Sequence, residues 1–388
     1  MMDLIPGNRL TLLKNGAEYF PALGAAIDSA HREIFLESYI YEHDETGRLI
    51  GEALKRAASR GVTVHLLLDG FGSRTLPEYF VEDLCAAGVQ LLLYRREVSP
   101  WRFKRHRLRR LHRKIAVIDA RIAFVGGINV IDDMDTPGQI PPRFDYAVAV
   151  EGPLLAGILQ AVKRTWSLAA WRKIRLYRSR KQNRPLHPAP CGSIEAAFVR
   201  RDNLRHRRDI ESAYLDAIAS AKEEVIIANA YFLPGRRFRQ ALIQAAERGV
   251  RVVLLLQGRV EYILLHYASR ALYGVLLDAG IEIYSYNKSF LHAKVAVVDG
   301  RWATVGSSNI DPFSLMLALE ANVVALDAGF AAALRASLLQ AIGEGAQQVA
   351  PDRWRQQPLY SRFLAWASYG MVRILMGMAG YARRYEES

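Results

Sequence analysis

The chain has 388 residues, of which 51% are hydrophobic and 23% are charged, and its formal net charge is +13. This length permits two domains, each with its own core. The two cysteines, Cys85 and Cys191, stand at unrelated positions and form neither a disulfide framework nor a metal-ligand spacing, so we expect a reducing compartment. The basic charge favours a polyanionic partner, either nucleic acid or the anionic surface of a membrane.

The first half of the chain alternates helix and strand patterns. An apolar strand at 33–36 follows a helix end at 26–30, and a helical repeat at 49–59 leads into a second apolar strand at 62–68. Such alternation predicts an α/β fold with a mostly parallel sheet. The first ten residues lack the basic and apolar segments of a signal peptide.

The next predicted strand carries a short motif of chemically active residues. It begins with His112 and Lys114, continues to Asp119, and is followed by Gly127 and Asn129 within the sequence Gly-Gly-Ile-Asn. A motif this short becomes specific only when its structural context supports it.

A second copy of this motif stands 180 residues later. Its matched positions are His292, Lys294, Asp299, Ser307 and Asn309. The offset is constant (292 − 112 = 180 and 309 − 129 = 180). A duplication that copies polar as well as apolar residues indicates a function for the polar side chains. Because Gly127 stands where the second copy has a serine, we expect a hydroxyl contact to be missing from the first half.

The repeat also divides the chain. We predict a first α/β domain over 1–180, a linker rich in Arg, Lys and Pro over 181–196, a second α/β domain over 197–350 and an amphipathic tail over 351–388. The two domains then differ in the lengths of their loops and share one plan.

Strand alternation separates the motif residues into two groups. Side chains two positions apart in a strand lie on the same face. The histidine and lysine of each copy therefore share a face, whereas Asp119 and Asp299 fall on the opposite face. All six positions are candidate catalytic residues, but the alternation favours a structural role for the two aspartates.

The histidine–lysine pairs suit phosphate chemistry better than metal binding. A lysine repels a metal cation, and no acidic or cysteine side chains stand at ligand spacing beside the pairs. Lysine offers charge and donors to phosphoryl oxygens, the amides of Asn129 and Asn309 add further donors, and histidine acts as a nucleophile or proton donor near neutral pH. Two facing sets would exchange one phosphodiester for another without a metal or a cofactor.

A nucleophilic histidine benefits from an acid on its far ring nitrogen. Glu320 follows His292 by 28 residues and is the candidate in the second half. The first half has Ile140 at the matching position, so Asp145 is the candidate there, after a longer loop. The predicted substrate-binding residues are then Asn129, Asn309, Gly127, Ser307, Glu320 and Asp145.

The duplicated His-x-Lys-x4-Asp motif with Gly-x-x-Asn resembles the phospholipase D superfamily. The resemblance covers residues 12–349, and the segments 15–20, 36–40 and 124–129 are most similar to bacterial cardiolipin synthases of the B type. It implies two pseudo-twofold-related α/β domains with one active site between them. It also implies phosphatidyl transfer between two phosphatidylglycerols, which gives cardiolipin and glycerol through a covalent phosphatidyl-histidine. By analogy, the first-motif histidine is the nucleophile and the second is the acid and base.

Two further segments favour a lipid substrate. The run Arg102–Lys114 holds eight Lys and Arg residues with interleaved aromatic residues, which suits anionic headgroups. The segment Phe363–Tyr381 is apolar and aromatic but contains Arg373, so it either lies in the membrane interface or packs on the protein's own core. We therefore expect a peripheral enzyme on the cytoplasmic face of the inner membrane, with a phospholipid substrate and no nucleic-acid partner.

Other functions stay open at this point. The same two pairs would serve a phospholipase D-type hydrolase or a nuclease, because fold and motif do not separate these activities, and the basic run would equally follow a nucleic-acid backbone. A catalytically inactive lipid-binding scaffold is disfavoured by the intact histidine and lysine in both copies. The apolar tail, which a nuclease does not need, favours the lipid.

Overall fold

The structure is a computed structural model, and it describes residues 2–95, 109–136, 138–173, 188–260, 262–356 and 358–378. The strands are β1 (Ile5–Lys14), β2 (Glu33–Ser38), β3 (Thr63–Asp69), β4 (Gln90–Tyr94), β5 (Lys114–Ile118), β6 (Ile122–Gly126), β7 (Arg143–Phe144), β8 (Tyr146–Glu151), β9 (Ile194–Arg201), β10 (Glu224–Asn229), β11 (Arg251–Gln257), β12 (Glu282–Tyr286), β13 (Phe290–Leu291), β14 (Lys294–Val298), β15 (Trp302–Gly306), β16 (Glu320–Leu326) and β17 (Ala346–Gln348). The helices are α1 (Asn15–Asp28), α2 (Glu45–Ser59), α3 (Glu78–Ala86), α4 (Leu155–Lys173), α5 (Asp209–Ser220), α6 (Arg236–Glu247), α7 (Ile263–Arg270), α8 (Tyr273–Asp278), α9 (Pro312–Met316), α10 (Ala328–Gly345), α11 (Pro351–Arg355) and α12 (Leu359–Met378).

Fifteen of these strands form one sheet, in the order β17-β12-β11-β10-β14-β15-β16-β9-β1-β8-β6-β5-β2-β3-β4. The run from β12 to β9 in the second half matches the run from β4 to β1 in the first half, strand for strand. The two halves are thus related by a pseudo-twofold axis between β9 and β1. The predicted α/β fold of two related halves is confirmed.

The sheet in each half is mixed. Parallel pairing joins β2, β3 and β4 in the first half and β10, β11 and β12 in the second, where helices connect the strands. Closer to the pseudo-twofold axis the strands pair antiparallel. A short turn at 119–121 joins β5 to β6, and strands joined by such a turn can pair only in that way. The expected parallel arrangement therefore holds for the outer strands.

Local sequence explains where several elements begin. The carboxylate of Asp44 accepts a hydrogen bond from the Gly47 amide (2.8 Å) and caps α2, and Asp327 caps α10 by the same contact to Phe330 (2.7 Å). Such caps satisfy backbone donors that have no partner inside the helix.

One apolar core is shared by the two halves. Ile115 and Val117 of β5 pack in the same buried cluster as Val295 and Val297 of β14, together with residues of α10. The interior of a protein is densely packed and deforms little. This core therefore fixes the two motif-bearing strands relative to each other.

The predicted linker and tail are described in part. Residues 181–187 and 379–388 lie outside the described residues, and β9 already begins at Ile194. In the tail, α12 packs against α7, and its residues Val372 and Met376 are buried in the core of the second half. None of the described helices is long and apolar enough to cross a membrane.

The other face of α12 exposes large apolar side chains. Those with more than two fifths of their surface exposed are Tyr360, Phe363, Leu364, Trp366, Met371, Ile374 and Leu375. The two alternatives for the tail therefore apply to opposite faces of one helix, since one face packs on the core and the other meets solvent.

Candidate active site

The first motif is held in place by a segment of the second half. The Leu111 backbone bridges to Leu319, and the amide of His112 donates to the carbonyl of Leu319 (3.0 Å). The ammonium of Lys114 donates to the carbonyl of His112 (2.8 Å), which keeps the two side chains of the pair together. Lys114 is buried, and its strand β5 begins at this residue.

The second motif is held by the first half in the same manner. Strand β13 pairs with β7, and the amide of His292 donates to the carbonyl of Phe144 (2.8 Å). The Lys294 ammonium is bonded to the carbonyl of His292 and is completely buried. Each motif therefore enters the site through backbone pairing with the opposite half.

Each motif histidine contacts an acid from the opposite half of the chain. The Nδ1 atom of His112 lies 2.9 Å from Glu320 Oε1, and Nδ1 of His292 lies 2.6 Å from Asp145 Oδ2. Our assignment of each acid to the histidine of its own half was wrong. The backbone pairings just described explain the exchange, because they bring residue 319 beside residue 111 and β7 beside β13.

Sheet register makes Asp145 and Glu320 structurally equivalent. The Gly127 amide donates to Tyr146, and the Ser307 amide donates to Ala321 (2.9 and 3.0 Å). Each acid immediately precedes the residue whose carbonyl accepts this hydrogen bond, Tyr146 in the first half and Ala321 in the second. From histidine to acid the first half needs 33 residues (145 − 112) and the second needs 28 (320 − 292). The extra five residues are the longer loop expected before Asp145.

The glycine–serine difference in the motif follows from the different lengths of the two acids. The Ser307 hydroxyl donates to Glu320 Oε2 (2.5 Å) and orients that longer side chain. A side-chain carbon at Gly127 would collide with both carboxylate oxygens of Asp145. The shorter acid occupies the space of a residue-127 side chain, so the first half has no equivalent hydroxyl.

The two asparagines differ in their contacts. The side-chain oxygen of Asn129 accepts a hydrogen bond from the Ile40 amide (3.0 Å). Asn309 is buried, and its side-chain oxygen has no hydrogen-bond partner among the described residues. Buried polar atoms of this kind are rare in folded proteins and commonly await a ligand or water.

The two motif aspartates lie apart from the histidine–lysine pairs. Asp119 accepts hydrogen bonds from the backbone amides of residues 31–33 (2.7 to 2.9 Å). Asp299 accepts from those of residues 222–224 (each 2.9 Å). Both residues have positive φ (51° and 49°) at the turn that follows the motif strand. These carboxylates fix the start of β2 and of β10, and they do not join the chemistry-bearing cluster.

Burial makes both histidines neutral at pH 7. It lowers the pKa of His292 to about 3, with the ammonium of Lys294 acting in the same direction and Asp145 opposing it. Burial also lowers the pKa of His112, and Glu320 opposes that shift. Because a carboxylate can only accept, His112 donates from Nδ1 to Glu320, and its Nε2 keeps its lone pair. Nδ1 of His292 lies between Asp145 Oδ2 (2.6 Å) and the Lys294 ammonium (2.7 Å).

The lysines face each other across one site. Burial, followed by repulsion from Lys294, lowers the pKa of Lys114 to about 7. Burial by itself raises the pKa of Asp145, but Lys294 and His292 hold it below its usual value. The two motifs therefore share one electrostatic environment and belong to a single site.

An aromatic residue that the sequence did not single out also contacts the site. The ring of Tyr39 lies edge-on to the His112 imidazole (centroids 4.9 Å apart) and under the ammonium of Lys114 (5.3 Å). Tyr39 directly follows the buried strand β2, which pairs with the motif strand β5. Its position as a polar aromatic residue at the end of such a strand is the sequence signal that could have identified it.

The basic run before the first motif lies mostly outside the described residues, which exclude 96–108. Within the described part, Arg113 is buried and pairs with Glu37 (2.8 Å), while Arg110 approaches Asp69 (3.7 Å). These two arginines are engaged inside the protein. Among the described residues, no group of three or more His, Cys, Asp and Glu side chains is arranged to hold a metal ion.

Two segments, residues 23–134 and 214–342, match the family model described as cardiolipin synthase, PLD-like domain. Together they span more than half of the chain and contain both motifs. The chain belongs to this family. Each matched segment lies in one half of the sheet, and membership makes the protein a phosphatidyltransferase of the phospholipase D superfamily.

Relatives and solved structures agree with this family. The chain is 42% identical over 352 residues to cardiolipin synthase B of Escherichia coli (strain K12), an alignment that covers 88% of this chain and 82% of the relative. It is 30% identical over 363 residues to cardiolipin synthase A of Pseudomonas fluorescens, which covers 92% and 72% respectively. The crystal structure of phosphatidylserine synthase from Haemophilus influenzae Rd KW20 superposes with a TM-score of 0.69 over 96% of both chains, at 12% identity, and so shares the fold.

Proposed function

We propose that the protein joins two phosphatidylglycerol molecules into cardiolipin and releases glycerol. The observation that carries the proposal is the crossed arrangement of the site. Two buried histidine–lysine pairs face each other, and each histidine is held by an acid of the opposite half (2.9 and 2.6 Å). A two-step transfer needs one nucleophile and one proton carrier on opposite sides of a single phosphorus atom, and this arrangement supplies both.

In the first step, Nε2 of His112 attacks the phosphorus atom of the donor lipid. The P–N bond forms, the P–O bond to the glycerol headgroup breaks, and His292 gives its proton to the departing glycerol oxygen. Glu320 accepts from Nδ1 of His112 and stabilises the positive charge that develops on the ring. The product is phosphatidyl-His112 plus free glycerol.

In the second step, a hydroxyl of another phosphatidylglycerol replaces the departed glycerol. His292 takes the proton of this hydroxyl, the new P–O bond forms, and the P–N bond breaks. His112 is regenerated, and His292 holds the proton for the next cycle. Since one phosphodiester replaces another, the exchange is nearly balanced in energy, and the site must exclude water to prevent hydrolysis.

The lysines and asparagines bind the non-bridging oxygens of the phosphodiester. An anion between Lys114 and Lys294 relieves their mutual repulsion, so its binding raises the pKa of Lys114 and of His292 above the low values that burial and this repulsion cause. Substrate binding therefore favours protonation of His292, which supplies the proton that the first step requires. The unpartnered oxygen of Asn309 is available to a hydroxyl group at the same place.

We further propose that the enzyme works as a peripheral protein on the cytoplasmic face of the inner membrane. The exposed apolar face of α12 supports this location, since side chains such as Trp366 and Ile374 (53% and 58% exposed) suit the membrane interface. Helix α12 packs on α7, and α7 carries Leu265 and His266 in the wall of a pocket. Ala230 lines the same pocket, and its amide donates to the carbonyl of Ala293, the residue after His292 (3.0 Å). A membrane bound to α12 would therefore lie close to the site.

The function is tested with purified full-length protein and vesicles of labelled phosphatidylglycerol. The expected products are cardiolipin and one glycerol per turnover, identified by mass spectrometry. Phosphatidate as the main product would replace the proposal with a hydrolase, and cleavage of DNA with no lipid product would replace it with a nuclease.

The covalent step is tested with phosphatidyl-p-nitrophenol, whose leaving group needs no proton. His292→Ala should then accumulate a phosphatidyl adduct on His112, detected by rapid quench and peptide mass spectrometry, whereas His112→Ala should form none. His31→Ala changes an exposed histidine and serves as the control. An adduct on His292 in the wild-type protein would reverse the two roles.

A further inference from the structure

The two halves of the site differ at one matched position. The sheet register pairs Glu37 with Ile115 in the first half and Ala228 with Val295 in the second, which places Tyr39 and Ala230 at equivalent positions (230 − 39 = 191). Tyr39 covers the flank of His112. In the second half the matching residue, Ala230, has only a methyl side chain and supplies no such ring beside His292.

A pocket lies beside Ala230. Its volume is about 410 Å³, a figure that includes the solvent space at its open mouth. Ala230 lines it, and the Ala230 amide donates to the carbonyl of Ala293 (3.0 Å). Gln257 also lines it and donates to the carbonyl of Leu291 (3.4 Å). The pocket wall is thus bonded to both chain neighbours of His292.

The lining of the pocket is mixed: apolar residues, among them Leu256 and Leu265, alternate with polar and aromatic ones. It includes Gln257, Arg259, His266, Ser269 and the rings of three tyrosines. The Arg259 guanidinium donates from Nε to the carbonyl of Asn287 (3.2 Å), which holds it in the wall. Tyr262 lines the pocket and contributes to the raised pKa of Tyr39, so the pocket and the first half of the site are near each other. An acyl chain prefers continuous apolar walls, whereas this lining offers hydrogen bonds to a small polyol.

We propose that this pocket is the polyol subsite, which holds the glycerol headgroup while it leaves and while its replacement arrives. The inference rests on the proposed function and deepens it. Because the pocket wall is bonded to residues 291 and 293 while the Tyr39 ring packs on His112, glycerol oxygen departs and enters on the His292 side, where the proton is exchanged. The asymmetry between Tyr39 and Ala230 then assigns the nucleophile to the first half and the acid and base to the second.

The test compares two acceptors of the same phosphatidyl group. Full-length protein is supplied with phosphatidylglycerol vesicles and either isotopically labelled glycerol, which exchanges into the lipid, or ethanol, which gives phosphatidylethanol and needs little of the pocket. Ala230→Leu fills the pocket, and Arg259→Met removes a donor from its wall. Each should lower kcat/KM for glycerol by about tenfold or more while changing that for ethanol by less than about threefold, since a subsite discriminates through the contacts that only one acceptor makes.

Matched controls are Ala25→Leu on α1 and Arg48→Met on α2, both at exposed positions, and they should leave the ratio of the two acceptors unchanged. If Ala230→Leu does not fold, Arg259→Met carries the same comparison. An unchanged ratio in both pocket variants, or an equal loss with both acceptors, overturns the subsite. Altered selectivity for the acyl length of the donor, with an unchanged glycerol ratio, overturns it in favour of an acyl site.

The same assay separates this proposal from the proposed function. Wild-type protein that transfers the phosphatidyl group to neither alcohol contradicts both. Wild-type protein that transfers to both alcohols, with variants that keep the wild-type ratio, contradicts the polyol subsite alone.

Discussion

Lys114 is a buried cation with a second buried lysine close to it. Its pKa falls to about 7 through burial and through repulsion from Lys294. The unfolded chain, with an ordinary lysine pKa near 10.4, binds more protons between pH 7 and pH 10 than the folded chain does. The free energy of unfolding therefore rises with pH across this window, and the destabilisation is fully present below pH 7.

Replacement of this lysine should stabilise the protein while it abolishes activity. Lys114→Met is expected to raise the free energy of unfolding at pH 6.5 by on the order of 4 kcal/mol, since the pKa shift spans about three units and one unit corresponds to about 1.4 kcal/mol, and to give little gain at pH 10. Denaturant titrations at both pH values measure the effect. Lys55→Met, which removes a lysine from α2, is the control. If Lys114→Met lowers the free energy of unfolding at pH 6.5 relative to the wild-type protein, the buried ammonium of Lys114 does not destabilise the fold.

The crossed acids make a second prediction at the residue scale. With the p-nitrophenyl donor, the rate of adduct formation depends on the nucleophile and not on the proton carrier. Glu320→Gln should therefore slow the burst of p-nitrophenol by about 10²-fold or more, because Glu320 orients His112, whereas Asp145→Asn should leave the burst largely intact. With phosphatidylglycerol as donor both variants should be slow. The opposite pattern in the burst would mean that each acid serves its own half.

At the scale of elements, α12 has two apolar faces with different tasks. Val372 and Met376 bury one face in the core, so deletion of the helix would expose core surface as well as remove the membrane contact. Substitution on the exposed face separates these effects, because an exposed apolar side chain contributes little to folding.

A double variant on that exposed face, Phe363→Ser with Trp366→Ser, should weaken binding to anionic vesicles by about tenfold, since burial of an apolar side chain in the interface contributes about 1.5–3 kcal/mol. Turnover of detergent-solubilised substrate should change little. The control is Tyr79→Ser, an exposed aromatic residue of α3 (63% exposed). Vesicle co-sedimentation measures binding, and unchanged binding of the double variant would place the membrane contact elsewhere on the protein.

At the scale of the whole molecule, the two halves share a sheet, a core and the site. Strands β9 and β1 pair directly, and Val117 and Val297 belong to one apolar cluster. We therefore expect the described halves to unfold together. Scanning calorimetry should show one transition whose calorimetric and van't Hoff enthalpies agree, and two resolved transitions would mean that each half is stable alone.

Much of this molecule follows from the order of its residues. The same order of helix and strand patterns occurs twice, about 190 residues apart, and this repeat predicted two related α/β halves. Each pattern depends only on neighbouring residues, so a change in loop length does not remove it. The alternation of side chains along a strand brought His112 beside Lys114, and it separated Asp119 and Asp299 from them. These relations span only a few residues, so the backbone geometry of a single strand decides them.

Only the tertiary structure decided which groups meet across the pseudo-twofold axis. His112 and Glu320 are 208 residues apart, and their contact depends on the backbone bridge between residues 111 and 319. No local pattern encodes that bridge, and the order of residues along the chain favoured an acid of the same half for each histidine, which was the wrong partner. The contrast between Tyr39 and Ala230 became meaningful for the same reason, since a covered flank and an open pocket exist only after both halves have folded around one site.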